Sequence, residues 1–170
     1  FCGSGTIAIE ACLIAQNIAP GFNRDFVSEE WNIMPPNIYD ELRDEADRMA
    51  DYDKEIEVYA SDIDPEMVEI AKRNAEEVGL GDIIQFNVKD VNTLTIDSEG
   101  PVALVGNPPY GERIGDREEV EEMYRYIGSL MKQHPYLSTY ILTSNKEFEY
   151  LVNRKATKRR KLFNGYIECT

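Results

Sequence analysis

The chain has 170 residues, 42% of them hydrophobic, which is enough for one domain with a hydrophobic core of its own. Its net charge of −14 at pH 7 excludes a protein that coats nucleic acid through positive charge alone. The sequence contains no run of about 18 apolar residues and no secretory signal pattern, so we expect no membrane association.

The three cysteines, Cys2, Cys12 and Cys169, are odd in number and show no paired metal-ligand spacing. Such usage is typical of a protein that keeps its thiols reduced. We therefore expect a cytoplasmic protein without a bound metal ion. The sequence leaves the oligomeric state open.

The first residues predict a glycine turn followed by a helix. Gly3 and Gly5 lie directly before an apolar segment, 6–18, which we expect to form a buried helix. A glycine turn that opens a helix normally follows a strand, and no strand precedes this one. We therefore expect the chain to be a piece of a longer protein that lacks its first strand.

Beyond an irregular segment, 19–35, helices and strands alternate. Asp64-Pro65 is a helix start signal, and Asn164-Gly165 is a strong hairpin signal. The pattern predicts an α/β fold with a mostly parallel sheet and a C-terminal antiparallel hairpin. The predicted strands are 56–60, 83–88, 102–106, 139–143, 157–163 and 166–169, and the predicted helices are 6–18, 37–52, 65–78, 117–134 and 146–152.

The tetrapeptide Asn107-Pro108-Pro109-Tyr110 is the most informative part of the sequence. It follows the apolar run 102–106 and lies at the C-terminal end of a predicted strand, where open α/β sheets bind their ligands. The side-chain oxygen of Asn107 and the carbonyl of Pro108 can both accept hydrogen bonds from a planar amino group, and Tyr110 can stack on the attached ring. Because fixed acceptors stabilise the positive charge that develops on a reacting nitrogen, the tetrapeptide predicts an amine site.

A second set of residues predicts a nucleoside site. The Gly3-Ser4-Gly5 turn presents backbone N–H groups and the positive end of a helix. Asp62 follows the next strand, where it can accept hydrogen bonds from two ribose hydroxyls. Gly5 and Asp62 are 57 positions apart and the third glycine of the dinucleotide motif is absent, which argues against a dehydrogenase.

Asp90 ends the following strand, where a carboxylate can accept a hydrogen bond from the amino group of adenine. Its alternative role is that of a loop or capping residue, and Asp62 has the alternative of a simple turn residue. These residues all fall at successive strand ends: the glycine turn, Asp62, Asp90 and Asn107. Together they predict an adenosine site beside an amine site. S-adenosylmethionine is the cofactor that accounts for this pairing.

Charge is unevenly distributed along the chain. Nine acids lie within residues 40–57, which we interpret as the solvated face of a helix. Six bases lie within 154–161 and are a candidate for phosphate contact; a solvent-facing strand or a protected sheet edge is the alternative. The six bases are Arg154, Lys155, Lys158, Arg159, Arg160 and Lys161.

With these residues the sequence resembles the class I S-adenosylmethionine-dependent methyltransferases that carry the Asn-Pro-Pro-Tyr signature and act on amino groups of adenine, cytosine, guanine or glutamine. The stretches 1–7, 61–65 and 107–115 narrow the resemblance to the THUMP-associated RNA methylase group, specifically the bacterial enzymes that make N2-methylguanosine in large-subunit ribosomal RNA. Members are often named N6-adenine-specific DNA methylases because of the shared tetrapeptide. Segment 20–31 and the hairpin are also similar, so the likeness covers essentially the whole chain.

The resemblance implies a Rossmann-like class I methyltransferase sheet and a set of residue roles. Two features of the group are missing: an Asp-Pro with its strand before residue 1, and the upstream THUMP region that holds RNA. We therefore expect residues 1–170 to be a catalytic-domain fragment that binds cofactor poorly alone, because strands beside the missing one lose their partners. The implied cofactor residues are Gly3, Ser4, Gly5, Thr6, Asp62, Ile63, Asp90 and Asn107, the catalytic residues are Asn107, Pro108 and Tyr110, and the substrate residues are Pro109, Tyr110 and Arg113.

The implied reaction is in-line methyl transfer to the exocyclic N2 of guanine in RNA, expected to be ribosomal RNA. One alternative is another amino-group methyltransferase, acting on adenine in DNA or on glutamine in protein. The other is a non-catalytic domain that binds RNA or a protein partner. The continuation 111–115 and the hairpin favour the guanine enzyme, and intact Asn107, Tyr110 and Asp62 argue against a non-catalytic domain.

Overall fold

A computed structural model of the chain describes residues 1–110 and 116–170. Helices and strands alternate as the sequence predicts, which confirms a mixed α/β fold. Short 3₁₀ helices lie at Val27–Glu30 and Val91–Thr93. The helices are α1 (Thr6–Ala15), α2 (Ile38–Met49), α3 (Pro65–Glu77), α4 (Asp116–Gln133) and α5 (Phe148–Leu151), and the strands are β1 (Val58–Asp62), β2 (Ile84–Val88), β3 (Val102–Gly106), β4 (Leu137–Ile141), β5 (Leu162–Asn164) and β6 (Ile167–Cys169).

The six strands form three two-stranded sheets, β1 with β2, β3 with β4 and β5 with β6. The β3–β4 pair is parallel and runs from Val102 opposite Leu137 to Gly106 opposite Ile141. The β5–β6 pair is the C-terminal antiparallel hairpin that the sequence predicts, with Asn164 opposite Ile167. Gly165 follows with φ 61°, a left-handed conformation that glycine adopts without steric cost.

The chain divides into two compact units. The N-terminal unit comprises residues 2–60 and 64–87, and the C-terminal unit comprises residue 1, 61–63 and 88–170. Each unit has its own hydrophobic core.

The core of the N-terminal unit joins α1, α3 and the first two strands. Helix α3 starts at Asp64, whose side chain accepts a hydrogen bond from the backbone N–H of Glu66 at 2.8 Å, as the Asp-Pro signal predicts. Apolar residues recur along one side of α3, and the structure buries Val68, Ala71 and Ala75 on this side. The buried core residues are Ile9, Cys12, Ala60, Ala75, Leu80 and Ile84.

The core of the C-terminal unit joins α4, α5 and the β3–β4 pair. Its centre is Tyr124, which is fully buried and packs edge-on against Phe148 with ring centroids 4.9 Å apart. Apolar residues recur along one side of α4 in the sequence, which predicts an inward stripe, and the structure buries this side together with Tyr124. The buried core residues are Val120, Met123, Tyr124, Ile127, Leu151 and Val152.

The structure corrects the bounds of several predicted elements, among them the strand predicted at 157–163, which lies at Leu162–Asn164. The first helix ends at Ala15 rather than Ile18, and it is not buried all round, since Ile14 is 78% exposed. The strand predicted at 139–143 lies at Leu137–Ile141, because it begins directly after the His134-Pro135 break and pairs in register with β3. Apolarity alone does not fix these boundaries, since apolar residues such as Ile18 and Leu142 also lie beyond the ends of the elements.

In the part of the chain that the structure describes, no helix is long and apolar enough to cross a membrane. The same residues contain no cluster of three or more His, Cys, Asp or Glu side chains that could hold a metal ion.

The close approach of α4 to the segment after α5 gives the first testable prediction. A Cβ on Gly128 would lie 2.5 Å from the carbonyl oxygen of Val152, which is backbone and cannot give way easily. Gly128→Ala in the full-length protein should therefore lower the free energy of unfolding by about 1–3 kcal/mol in chemical denaturation. Elsewhere in a helix the same change stabilises by about 1 kcal/mol, so a rise in stability would contradict this packing. Gly100→Ala is the control, because its nearest neighbour would be 3.8 Å away.

Candidate active site

Strand β3 ends in the Asn-Pro-Pro-Tyr loop, residues 107–110, and the start of the loop is anchored. Gly106, the last residue of β3, is buried and accepts a hydrogen bond from the Leu142 N–H at 3.0 Å, which continues the pairing past β4. Pro108 is among the fully buried side chains, whereas Asn107 is exposed. The loop therefore presents its amide to solvent from a fixed backbone.

A chain of two hydrogen bonds fixes the side chain of Asn107. The Asn164 Nδ2 group donates to the Tyr110 hydroxyl at 3.2 Å, and that hydroxyl donates to Asn107 Oδ1 at 2.7 Å. An amide N–H can only donate, so the Tyr110 oxygen must accept from Asn164 and its single proton is directed to Asn107. This relay sets which end of the Asn107 amide is the acceptor.

A second tyrosine supports the same loop from the core. The Tyr124 hydroxyl lies 3.2 Å from the Pro109 carbonyl oxygen, to which it donates, and 3.0 Å from Thr143 Oγ1. Thr143 Oγ1 in turn accepts from the Asn145 N–H at 3.0 Å. The buried network satisfies a carbonyl of the loop and holds it against α4.

Both tyrosines stay protonated at neutral pH. Burial is the main cause that raises the pKa of the Tyr110 hydroxyl; the Cys169 thiol raises it further and the Asn164 hydrogen bond opposes the rise. Burial also raises the pKa of Tyr124, against the effect of its bond to Thr143. Each hydroxyl therefore remains available as a donor to the loop.

The C-terminal unit also contains Asp62, Ile63 and Asp90. Asp62 is the last residue of β1, its carbonyl accepts from the Lys89 N–H at 2.8 Å, and its side chain is only 13% exposed. Ile63 is mostly exposed. Asp90 Oδ1 accepts from the Asn92 N–H at 2.9 Å, so this carboxylate caps a 3₁₀ helix, the alternative role that the sequence suggested.

The glycine turn belongs to the N-terminal unit. Gly3 and Gly5 have φ of 54° and 82°, and the turn is closed by the Gly5 N–H donating to the Cys2 carbonyl at 3.0 Å. Asn74 Nδ2 donates to the Ser4 carbonyl at 2.8 Å and ties the turn to α3. Position 5 also leaves little room for a side chain, because a Cβ on Gly5 would lie 3.0 Å from the Cβ of Ala71.

Among the described residues no side chain neutralises the positive end of α1. Its first turn contains no acidic residue, and no side chain caps it; the hydroxyls of Ser4 and Thr6 bond to each other at 3.1 Å. A Cβ on Gly3 would have no atom within 4 Å, so the backbone here is accessible. Unsatisfied N–H groups at a positive helix end are suited to a negatively charged group.

Sequence reasoning identified the loop but missed three residues that hold it. Tyr124 lies on the apolar stripe of α4, and a buried tyrosine needs a partner for its hydroxyl, which is the signal that could have found it. Asn164 was interpreted only as a turn residue, and Thr143 only as the end of a strand. Arg113 lies outside the described residues.

A family model for UPF0020, the RMKL-like methyltransferase domain, matches residues 1–170. The chain belongs to this methyltransferase family. It is 55% identical over 168 residues to the putative RNA methyltransferase YpsC of Bacillus subtilis and 40% identical over 174 residues to the ribosomal RNA large subunit methyltransferase K/L of Shewanella baltica. The matches cover 99% of this chain but 43% and 24% of those proteins, so the chain spans less than half of their length.

Solved structures of similar proteins agree with the family assignment. The structure of SMU.472, a putative methyltransferase complexed with SAH, has a TM-score of 0.92 and 42% sequence identity. A "predicted N6-adenine-specific DNA methylase" from Listeria monocytogenes has a TM-score of 0.90 and 48% identity. Each match covers 99% of this chain and 44% or 43% of the other. The Rossmann-like methyltransferase fold expected from the sequence is thereby confirmed.

The bond from Tyr124 to Pro109 predicts that Tyr124 positions the Asn-Pro-Pro-Tyr loop. Tyr124→Phe removes the donor to Pro109 and leaves the ring in place, so kcat should fall about tenfold through misplacement of the loop while cofactor affinity is unchanged. Tyr126→Phe is a matched control, because the Tyr126 hydroxyl on the same helix donates to the Leu94 carbonyl at 2.8 Å, away from the loop. Equal losses of kcat in both variants would contradict the role.

Proposed function

We propose that this chain is the catalytic part of an S-adenosylmethionine-dependent enzyme that methylates the exocyclic N2 of guanine in ribosomal RNA. The observation that carries the proposal is the fixed acceptor at Asn107 Oδ1, oriented by Tyr110 and Asn164. An oriented amide oxygen beside a ring-stacking tyrosine is suited to an aromatic amino group.

Residues of each unit, taken separately, have the chemistry that we propose holds the cofactor. The uncapped start of α1, with accessible backbone at Gly3, is suited to the carboxylate of an amino-acid moiety. Asp62 is suited to the two ribose hydroxyls and Asp90 to the adenine amino group, with Ile63 offering an exposed apolar side chain. The SAH in the SMU.472 structure is the product that remains when S-adenosylmethionine has given up its methyl group.

Bound S-adenosylmethionine supplies an electrophilic methyl group on a positively charged sulfur. The protein contributes alignment and charge stabilisation. Asn107 Oδ1 has two lone pairs, so it can accept from the substrate amine while it accepts from Tyr110. The Pro108 carbonyl is the proposed second acceptor, and none of the described residues donates a hydrogen bond to it. With both acceptors engaged, the amine lone pair points away from them, and the proton of the methylated amine leaves to water.

The ring of Tyr110 can stack on a guanine that has been extruded from the RNA. The Tyr110 hydroxyl is engaged in the relay at the edge of the ring, and the residue is half-buried, so part of its surface is accessible to a base. Stacking on such a ring contributes about 1–3 kcal/mol. It offsets part of the cost of extruding the guanine.

RNA is favoured over the alternatives by the names of the relatives that align over this whole chain, an RNA methyltransferase and a ribosomal RNA methyltransferase. Methylation of adenine in DNA is the second candidate, which the name of the Listeria protein favours. The same loop chemistry serves both, so the substrate must be identified by experiment.

The proposed role of Asp62 predicts a loss of cofactor affinity on substitution. Asp62→Asn should weaken binding of S-adenosylhomocysteine at least about tenfold, because hydrogen bonds to a charged group contribute about 1.5–3 kcal/mol. Titration calorimetry on the full-length protein measures this, with a thermal melt to establish folding. Asp97→Asn, in an exposed loop, should bind as the wild type does. Unchanged affinity in Asp62→Asn would remove the aspartate from the cofactor site.

The proposed reaction predicts where a labelled methyl group goes. The full-length protein is incubated with tritiated S-adenosylmethionine and, in parallel, undermodified ribosomal RNA, DNA or a cell-protein extract, and each product is digested. Label should appear in N2-methylguanosine, and Asn107→Ala should lower its rate at least a hundredfold by removing an acceptor of developing charge. Asn32→Ala, exposed and outside the site, should not.

Other outcomes of the labelling experiment decide between the alternatives. Label in adenine or glutamine would establish another amino-group methyltransferase. Absence of label in all three substrates, with S-adenosylhomocysteine still bound, would support a non-catalytic binding domain.

A further inference from the structure

We propose that the basic segment 154–161 and the hairpin that follows it form a docking surface for single-stranded RNA next to the target base. We call residues 154–166 the basic hairpin surface. The inference rests on the proposed function and adds where the nucleic acid is held, within the C-terminal unit alone.

The positive charge of this surface is concentrated and directed to solvent. A third of the 18 Lys and Arg residues of the chain lie within 154–161, although the net charge is −14. All residues from 153 to 166 are exposed. Strand β5 begins only at Leu162, so none of the six bases lies in a strand, and the protected sheet edge considered as their alternative role is excluded.

Segment 154–161 is held in place by contacts with α5. Glu149 of α5 accepts from the Ala156 N–H at 3.0 Å and from Arg159 at 2.8 and 2.6 Å. These contacts lower the pKa of Glu149, so the carboxylate stays charged. Glu149 therefore binds the segment to α5 and forms a salt bridge with Arg159, one of its six bases. Four bases have no salt bridge within 4.0 Å among the described residues: Arg154, Lys155, Lys158 and Arg160.

Exposed aromatic rings lie beside these charges. Phe163 is 63% exposed, and Lys161, which is paired with Glu168, lies over its ring at 5.4 Å from the centroid. Tyr166, in the turn of the hairpin, is fully exposed. Unpaired cations followed within a few residues by exposed rings are the combination that binds phosphates and unstacked bases of single-stranded nucleic acid. An acidic protein partner would use the cations but gives no reason for the exposed rings.

The surface is connected directly to the catalytic loop. Asn164 pairs with Ile167 in the hairpin, and its side chain donates to Tyr110. Phe163 is the neighbouring strand residue, and successive side chains of a strand point to opposite faces. The hairpin therefore presents Asn164 to the Asn-Pro-Pro-Tyr loop and Phe163 to solvent. A strand of RNA held on this surface has its next nucleotides within reach of Tyr110.

A charge-reversal variant of the full-length protein tests the surface. Lys155→Glu/Lys158→Glu/Arg160→Glu should weaken binding of an unmodified ribosomal RNA transcript at least thirtyfold. The slope of log affinity against log salt should become shallower by about 2, because three phosphate contacts on a single strand are lost. The kcat at saturating RNA and the affinity for S-adenosylhomocysteine should stay as in the wild type.

A matched control separates local contacts from net charge. Arg48→Glu/Lys54→Glu/Lys132→Glu makes the same change in net charge at exposed positions elsewhere and should weaken RNA binding less than threefold. Tyr166→Ala should weaken binding about five- to 150-fold, whereas Tyr166→Phe, which keeps the ring, should not. Equal effects of the two triple variants, or no effect of the first, would overturn the proposal.

Failure of this inference is distinguishable from failure of the proposed function. RNA binding that depends on the surface, with methyl transfer only to DNA or protein, would overturn the proposed function and leave the surface in place. If the wild type methylates RNA but the surface variant binds RNA unchanged, the inference about the surface would be overturned and the proposed function would stand. Loss of a bound acidic protein, with RNA binding intact, would reassign the surface and overturn the inference.

Discussion

The chemistry proposed for this domain depends on one hydrogen-bond relay, from Asn164 through the Tyr110 hydroxyl to Asn107 Oδ1. An asparagine amide presents either a donor or an acceptor, and an amine substrate needs the acceptor. Because Asn164 can only donate through Nδ2, the proton of Tyr110 has a single direction. The C-terminal hairpin thus takes part in setting the polarity of a site that lies more than 50 residues earlier in the chain.

The relay works only if the loop itself does not move. Pro108 is buried, and the Pro109 carbonyl is held by the buried Tyr124, which also bonds to Thr143. The Tyr124 hydroxyl therefore links the core of the C-terminal unit to the loop. Substrate binding does not have to organise the acceptors, and this pre-organisation is how electrostatic stabilisation lowers a barrier.

The sequence predicted the parts of this arrangement that local chemistry determines. The apolar run before Asn107, the Asp64-Pro65 start of α3 and the inward stripe of α4 each depend on near neighbours, and each is confirmed. Contacts between distant residues could not be predicted this way: Tyr124 with Pro109, Asn164 with Tyr110, and Glu149 with the basic segment. The first hairpin strand was predicted too long, because pairing with the second strand begins only at Leu162 and the four bases at 158–161 lie before it. Asp90 shows why an aspartate at a strand end is ambiguous, since capping and ligand binding need the same carboxylate.

The central claim, that the oriented amide serves guanine N2 in ribosomal RNA, is tested most directly in cells. Large-subunit ribosomal RNA from cells with and without the gene is digested, and its methylated nucleosides are measured by mass spectrometry. The account predicts loss of N2-methylguanosine in the deletion strain and its return with the wild-type gene but not with Asn107→Ala. Unchanged ribosomal RNA, together with loss of N6-methyladenine from DNA or of methylglutamine from protein, would contradict it.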